Sequence, residues 1–406
     1  MSRPPLARLP LEGVRVLECA SVIAGPYSAY LLTLLGAETI KIERPGQGDW
    51  MRSQGGDAAL VAAGLGSTFL SCNAAKRSVA LNLKDPRGQK IAREIAAGVD
   101  VMIENWRPGT AERLGVGFDA IRSVNPRIVY CSISGFGQNG PMSPRPAYDH
   151  IIQAVSGIMS VTGTPETAPS RTGPPLVDYL TGLSATVAIL AALRERDRTG
   201  EAQSIDVGML DCAVAAMGSI LSAHVNGGVP AAPIGNAAAS GAPGSGLFQT
   251  ATSPLTVVAN TEAQFAALCG VLGRPELMHD PRFCEPAVRK QNQDALRAII
   301  AACLAGRPAI DWEGRLAAAG VPAGAVRSVP ELIDEAHVAA RDLSRQLALP
   351  EQGRDAALPA AGFKLNGRRI APERGPPLLA ADNESVLAAL GYDAAQRRAL
   401  REAGVW

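Results

Sequence analysis

Val14-Arg-Val-Leu-Glu-Cys-Ala-Ser-Val-Ile-Ala-Gly-Pro26, continued by Tyr27-Ser-Ala-Tyr-Leu-Leu-Thr-Leu-Leu-Gly36 and Thr39-Ile-Lys-Ile-Glu43, decides the fold class. Val14 to Glu18 reads as a short strand, a Gly-Pro turn leads into an apolar helix over Tyr27 to Leu35, and Gly36 releases the chain into a second strand. That is a βαβ unit. Strand-like runs recur at Ser78 to Leu83, Val101 to Glu104 and Ile128 to Ser134, with helix-like runs at Gly88 to Gly98 and near Gly109 to Val124. The alternation predicts an α/β fold: an open, mostly parallel Rossmann-like sheet with helices on both faces. Glu43 ends the second strand where a dinucleotide fold places its ribose-binding acid. Yet the first turn, Ala20-Ser-Val-Ile-Ala-Gly25, offers one glycine where that fingerprint needs three, which argues against a nicotinamide site.

A chain of 406 residues is long for a single simple core and predicts two domains, or a large domain with an insertion. Composition shifts to Gly, Ala, Pro and Ser from Asn226 to Gly246, as in a linker or a mobile loop. A strand over Leu255 to Ala259 follows, then helices around Glu262 to Leu272, Arg289 to Leu304 and Asp311 to Ala319. The expected division is a large domain over 1–224, a smaller inserted α+β domain over 225–330, and a return to the large domain over 331–406.

A formal net charge of +1 gives no global field for nucleic acid or an anionic membrane. Met1 to Pro10 lacks the apolar core of a secretory signal, and the apolar stretch Leu183 to Leu193 is about half the length of a spanning helix. Seven cysteines are scattered without a CxxC pair, and the four histidines have no metal-ligand spacing. A cytoplasmic protein without a structural metal is the expectation.

The residue with the most chemistry in reach is Asp178, in Gly173-Pro-Pro-Leu-Val-Asp-Tyr-Leu-Thr-Gly182. The prolines end one segment and a long apolar helix follows, so this carboxylate falls at or near a helix N-terminus, where dipole and free N–H groups favour the ionised form. A shielded carboxylate is a nucleophile towards acyl groups. Aspartate is also a common N-cap, so the local sequence leaves both roles open.

Several further stretches carry a resemblance. Leu17-Glu-Cys-Ala-Ser-Val-Ile-Ala-Gly-Pro26, Leu35-Gly-Ala-Glu-Thr-Ile-Lys-Ile-Glu-Arg-Pro-Gly-Gln-Gly-Asp49, Asn73-Ala-Ala-Lys-Arg-Ser78, Glu104-Asn-Trp-Arg-Pro-Gly109, Ser134-Gly-Phe-Gly-Gln138 and Gly320-Val-Pro-Ala-Gly324 run in order along nearly the whole chain. Together they resemble the family III CoA-transferases, the CaiB/BaiF-like, formyl-CoA transferase family. The resemblance implies CoA transfer from an acyl-CoA donor such as succinyl-CoA to a free carboxylic acid. Asp178 would form an aspartyl–acyl anhydride and then an aspartyl-CoA thioester, with CoA as substrate and no tightly bound cofactor. It also implies an interlocked homodimer.

By the same resemblance Arg44, Lys84 and Arg113, with the pair Asn105-Trp106, match CoA-binding positions. Read alone, Arg44 after a strand, Lys84 before Asp85-Pro86 and Arg113 beside Glu112 are ordinary solvated cations. Tyr148-Asp149 matches an aromatic–acid pair that orients the nucleophile or lines the acceptor pocket, while Asp149 also reads as a helix cap. Ile23 stands where some members place Gln, and Pro146 where some place Lys, with Arg145 adjacent. Ala239-Ser-Gly-Ala-Pro-Gly-Ser-Gly246, with Gly244, matches a Gly-rich lid or is a plain interdomain connection. Arg171 suits the distal carboxylate of a dicarboxylic acid or is a surface loop residue.

Two rival readings stay in view. The α-methylacyl-CoA racemases resemble the same family but use a His where this chain has Tyr148, and a phenol with a pKa near 10 is a poor base at neutral pH. A non-catalytic CoA-binding protein would need the cations but not Asp178.

Overall fold

The computed structural model describes residues 8–238 and 240–406. Six parallel strands form its central sheet: β1 (Arg15–Cys19), β2 (Glu38–Glu43), β3 (Arg77–Ala80), β4 (Val101–Glu104), β5 (Val129–Ser134) and β6 (Gln203–Gly208). Their order is β3-β2-β1-β4-β5-β6. Leu17 pairs with Ile40 on one side and with Met102 on the other, so β1 is central. Strands buried on both faces need apolar residues in succession rather than in alternation, which Val16-Leu17, Val101-Met102-Ile103 and Val129-Tyr130-Cys131 supply.

Neighbouring residues in these strands serve opposite cores. Val16, Val101, Ile103 and Val129 join the helices Ala24–Leu34 and Leu176–Thr199 on one face. Leu17, Ile40, Val79, Met102 and Tyr130 join the helix Pro86–Ala96 and the tail residues Leu387, Leu400 and Val405 on the other. Each buried aliphatic side chain contributes about 1.5–3 kcal/mol, so the two cores hold the sheet rigid beneath its loops.

The helix that carries Asp178 departs from its expected start. It runs from Leu176 to Thr199 with Pro175 as its N-cap, so Gly182 lies inside it. A Cβ on Gly182 would come within 2.8 Å of the Ala24 carbonyl oxygen, and this glycine lets the helix pack closely on Ala24–Leu34 instead of ending it. The full 24 residues are long and apolar enough to cross a membrane. The stripe Val177, Thr181, Ala185 and Ile189 is buried, however, and Ala185 and Ile189 belong to the first core. The expected helical run Gly109 to Val124 is two short helices, Thr110–Arg113 and Phe118–Val124, parted at Gly115 with φ +65°.

The chain divides into two compact units: 1–158, 172–228 and 341–406 form the first, and 159–171 with 229–340 form the second. This differs from the expected 1–224, 225–330 and 331–406 in two respects. Residues 159–171 join the second unit, where the Gly235 N–H donates to the Gly163 carbonyl at 2.7 Å. The helices Val329–Ile333 and Ala336–Arg341 carry the second crossing to about residue 340. The second unit contains a three-stranded antiparallel sheet of β7 (Gly246–Phe248), β8 (Leu255–Val257) and β9 (Ala323–Ala325). Helices Glu262–Val271, Gln293–Leu304 and Ala309–Ala318 cover it over a core of Phe248, Leu255, Phe265, Leu296 and Trp312.

Candidate active site

Parallel sheets expose a crevice at the carboxyl ends of their strands where the strand order reverses, here between β1 and β4. Two cavities of the first unit open there. The larger, about 600 Å³, lies over the ends of β1, β2 and β3, with Arg44, Lys84 and Trp106 in its wall together with Gly404 of the tail. The smaller, about 280 Å³, lies over the ends of β1, β4, β5 and β6 and contains Asp178, Tyr148, Arg107, Arg145 and Ser134. Ser21 and Trp106 line both, so the cavities adjoin at the β1–β4 switch point.

The wall between them is a held loop. Val22 has φ +71°, a conformation that costs a β-branched residue energy and persists only when its surroundings impose it. The Asn105 side chain accepts from the Ser21 N–H at 2.9 Å and donates to the Ser21 carbonyl at 2.7 Å. Asp49 accepts from the Val22 N–H at 3.2 Å. Asp49 is anchored in turn by Lys41, 3.0 Å away, and by its own N–H donating to Glu43.

Beneath the loop lies a network of buried charges that sequence reading did not resolve into partners. Glu18 receives Lys41 at 2.7 Å and Lys76 at 2.6 Å, all three wholly buried. Lys41 also donates to the Ala20 carbonyl, and Lys76 to Pro26 and Asn73. Glu43 takes Arg52 through two bonds of 2.7 Å and accepts from Ser78. Burial works to raise the Glu43 pKa, but Arg52 and Lys41 overcome it and hold the group down at about 2. These contacts occupy Glu43, so it serves the network and not a ribose. The motif acids and lysines of 35–49 and 73–78 were visible in sequence; their pairing was not, because it joins strands distant along the chain.

Asp178 is the opposite case. It lies in the first turn of its helix and is buried, and its carboxylate accepts no hydrogen bond among the described residues. It does not cap the helix. Asp149 does so from outside, accepting from the Val177 N–H at 2.8 Å and the Asp178 N–H at 3.2 Å, while its other oxygen accepts from Gln153 at 2.6 Å. The terminal donors expected to favour an ionised Asp178 are therefore taken by Asp149. Burial, and then the Asp149 charge, push the Asp178 pKa up to about 7. A second buried acid, Glu104, is pushed up to about 7 by burial and accepts from the Trp106 N–H at 2.8 Å, which fixes the strand-end turn carrying Trp106.

The other expected site residues fall as follows. Arg44 and Lys84 are exposed in the larger cavity, and Asn105 lies in the smaller. Arg113 is exposed, donates to the Thr110 hydroxyl at 2.7 Å and lines neither cavity. Tyr148 is half exposed, with its ring stacked on that of His150. Arg171 is exposed within the second unit. Gly244 is buried in the second unit against Phe265, Ala259 and Leu268, and the adjacent Ser245 carbonyl accepts from Arg297. Ala239, at the start of the expected lid, lies outside the described residues. Arg107, inside the Glu104 to Gly109 motif, was missed as a side chain facing the Asp178 cavity; its place one turn after a strand end was the available signal.

Residues 11–383 match the pattern of CoA-transferase family III, and the chain belongs to that family. It is a CoA-transferase. It is 37% identical to succinyl-CoA:glutarate CoA-transferase of Mus musculus over 95% of this chain and 87% of that one. It is 40% identical to acetyl-CoA:oxalate CoA-transferase of Acetobacter aceti over 84% of this chain and 86% of that one. The crystal structure of a CaiB/BaiF family protein from Brucella suis superposes with a TM-score of 0.84 at 30% identity, covering 94% of this chain and all of that one.

Proposed function

We propose that this enzyme moves CoA from an acyl-CoA donor, succinyl-CoA among the candidates, to a free carboxylic acid through intermediates on Asp178. The observation that carries the reading is a buried carboxylate without a cationic partner, opening into a cavity that adjoins a second one with exposed cations. Arg44 and Lys84 suit the phosphates of CoA, and Trp106 suits the passage of its arm between the cavities.

In the proposed cycle a carboxylate oxygen of Asp178 attacks the thioester carbonyl, and CoA leaves as thiolate, giving a mixed anhydride. The thiolate attacks the Asp178 carbonyl, frees the donor acid and forms the aspartyl-CoA thioester. The acceptor carboxylate attacks that thioester and regenerates an anhydride and the thiolate. The thiolate then takes the acceptor acyl group and releases Asp178. Desolvation makes the ionised Asp178 a better nucleophile, and shielding keeps water from both anhydrides. Asp149 holds the helix end and so the direction of Asp178. Racemase chemistry finds less support: Tyr148 occupies the position of the base, and His150 is exposed and lines neither cavity.

The proposal extends to assembly. The second unit is read as an inserted domain, and the enzyme as an interlocked homodimer. Exposed Leu183 and Val187, with Ile220, Leu221 and Val225 of the helix Gly218–Gly227, offer apolar surface of the kind a partner subunit covers. Sedimentation at nanomolar concentration should show a dimer; a folded, active monomer would refute it. For the chemistry, Asp178→Asn should lose CoA transfer by at least about a thousandfold, read as thioester exchange by mass across a panel of acids. Turnover within tenfold of the parent enzyme would reject Asp178 as nucleophile.

A further inference from the structure

We infer that Asp49 is a positioning residue for the transfer reaction: by holding Val22 in a left-handed conformation, it sets the backbone wall of the smaller cavity against the helix that carries Asp178. This rests on the reading of Asp178 as the reacting group and adds a residue that acts on it from the larger cavity.

The chain of contacts is short. The Val22 N–H donates to Asp49 Oδ1 at 3.2 Å, and the same oxygen accepts from the Met51 N–H at 3.0 Å. Val22, Ile23 and Ala24 line the smaller cavity together with Asp178, whereas Asp49 lines the larger one. Just beyond Val22, the Ala24 carbonyl lies against Gly182, where a Cβ would approach it to 2.8 Å. Gly182 is four residues after Asp178, so the two share one face of the helix Leu176–Thr199, a turn apart. A shift at Val22 is thus passed through Ala24 to the helix face that bears the reacting carboxylate.

A valine at φ +71° is costly, because its branched side chain crowds the backbone, and it persists only where its neighbours over-determine it. This loop is gripped residue by residue. Lys41 donates to the Ala20 carbonyl at 2.7 Å, and Asn105 brackets both backbone groups of Ser21. Asp49 takes the Val22 N–H, and the Val22 side chain packs on the apolar cluster of Met51, Leu65 and Phe69. Without the Asp49 acceptor, Val22 is free to relax towards negative φ and to carry Ile23 and Ala24 out of the cavity wall. Strained residues of this kind cluster at active sites, where fixed geometry is part of the mechanism. Asp49 itself is 4% exposed and tied to Lys41 at 3.0 Å, so its carboxylate serves the loop and not a ligand.

The test is a double-variant cycle on thioester exchange, with succinyl-CoA as donor and the acid of the panel that exchanges fastest as acceptor. Asp49→Ala should lower kcat roughly ten- to a hundredfold, as a misplaced reacting group does, and leave the donor KM within about threefold. Asp49→Asn keeps an oxygen for Val22 and Met51 and should retain kcat within about fivefold, while its lost charge beside Lys41 lowers the urea midpoint. Val22→Gly removes the conformational cost. In the parent enzyme it loses packing and should not raise kcat, but in the Asp49→Ala background it should recover kcat about fivefold or more. A merely structural Asp49, serving Lys41 or the turn at Met51, would not respond to residue 22. No recovery, equal kcat losses in Asp49→Ala and Asp49→Asn, or a raised donor KM with unchanged kcat would overturn the inference. If Asp49→Ala does not fold, Gly182→Ala reads the same link from the helix side: its Cβ displaces Ala24, and kcat should fall with the donor KM unchanged. An unchanged kcat there refutes the link. Coupling between residues 49 and 22 in an enzyme whose Asp178→Asn variant stays active would reject Asp178 as nucleophile and leave the link standing. Absence of coupling in an enzyme that Asp178→Asn inactivates would reject the link alone.

Discussion

Glu43 and Asp178 are both buried carboxylates near the carboxyl edge of one sheet, and their surroundings set them in opposite directions. Glu43 is gripped by Arg52 and supported by Lys41, and its pKa falls to about 2. Asp178 has burial and the neighbouring Asp149 charge, and its pKa rises to about 7. The first is a charge used to hold a loop. The second is a charge kept costly, which is what a nucleophile needs. Burial alone does not distinguish them; the partners do.

Breaking the holding network should have the largest effect. Glu18→Ala leaves Lys41 and Lys76 buried without their shared carboxylate, and the loss in folding stability should be about 3–5 kcal/mol. Urea unfolding of the purified enzyme measures it, and a change below about 1 kcal/mol would show that the network is relaxed in solution.

Asp178→Asn should do the reverse. A folded-state pKa raised above the unfolded value means that the folded enzyme loses stability as pH rises from about 4 to about 7, with no further loss above. Glu43 acts with opposite sign: its contribution is complete above its ordinary value and disappears as pH falls towards about 2. The amide variant should therefore gain stability over the parent across pH 4 to 7, reaching up to about 4 kcal/mol at pH 8. A gap that does not grow over that interval would show that Asp178 is not strained by burial. The same ionisation predicts that kcat/KM for the donor rises with pH through about 7.

Arg44→Ala sharpens the comparison from the other cavity. An exposed cation holding a phosphate should affect binding and not chemistry. The donor KM should rise roughly ten- to a hundredfold, and added salt should raise the KM of the parent enzyme towards that of the variant. An unchanged KM would remove Arg44 from the CoA site.

The βαβ start was legible because Val14 to Glu43 changes cleanly from strand to helix spacing and back, and three further strand-like runs with two helix-like runs between them repeated the pattern. Strand β6 was not, since Gln203-Ser-Ile-Asp-Val-Gly208 alternates in exposure at a sheet edge and lacks an apolar run. The helix start at Leu176 was obscured by Gly182, which reads locally as a terminator and in three dimensions makes room for Ala24. Within the site, Asp178, Arg44, Lys84, Asn105, Trp106 and Tyr148 were legible from motif order and do line the two cavities. The direction of the Asp178 pKa was not, because it depends on Asp149 taking the helix N–H groups across nearly thirty residues of chain. Arg107 and Arg145 gave no local sign of sharing a cavity, since they follow different strands.

The most direct test of the account is to catch the covalent intermediate. Enzyme incubated with an acyl-CoA, quenched and treated with borohydride, should yield a digest in which the peptide containing Asp178 carries a side chain reduced from carboxylate to alcohol. Asp149 and Glu104 peptides should be unmodified, and no such product should form in Asp178→Asn. Labelling at another carboxylate, or turnover with no trapped species at Asp178, would contradict the claim that this buried, unpaired aspartate carries the acyl and CoA groups.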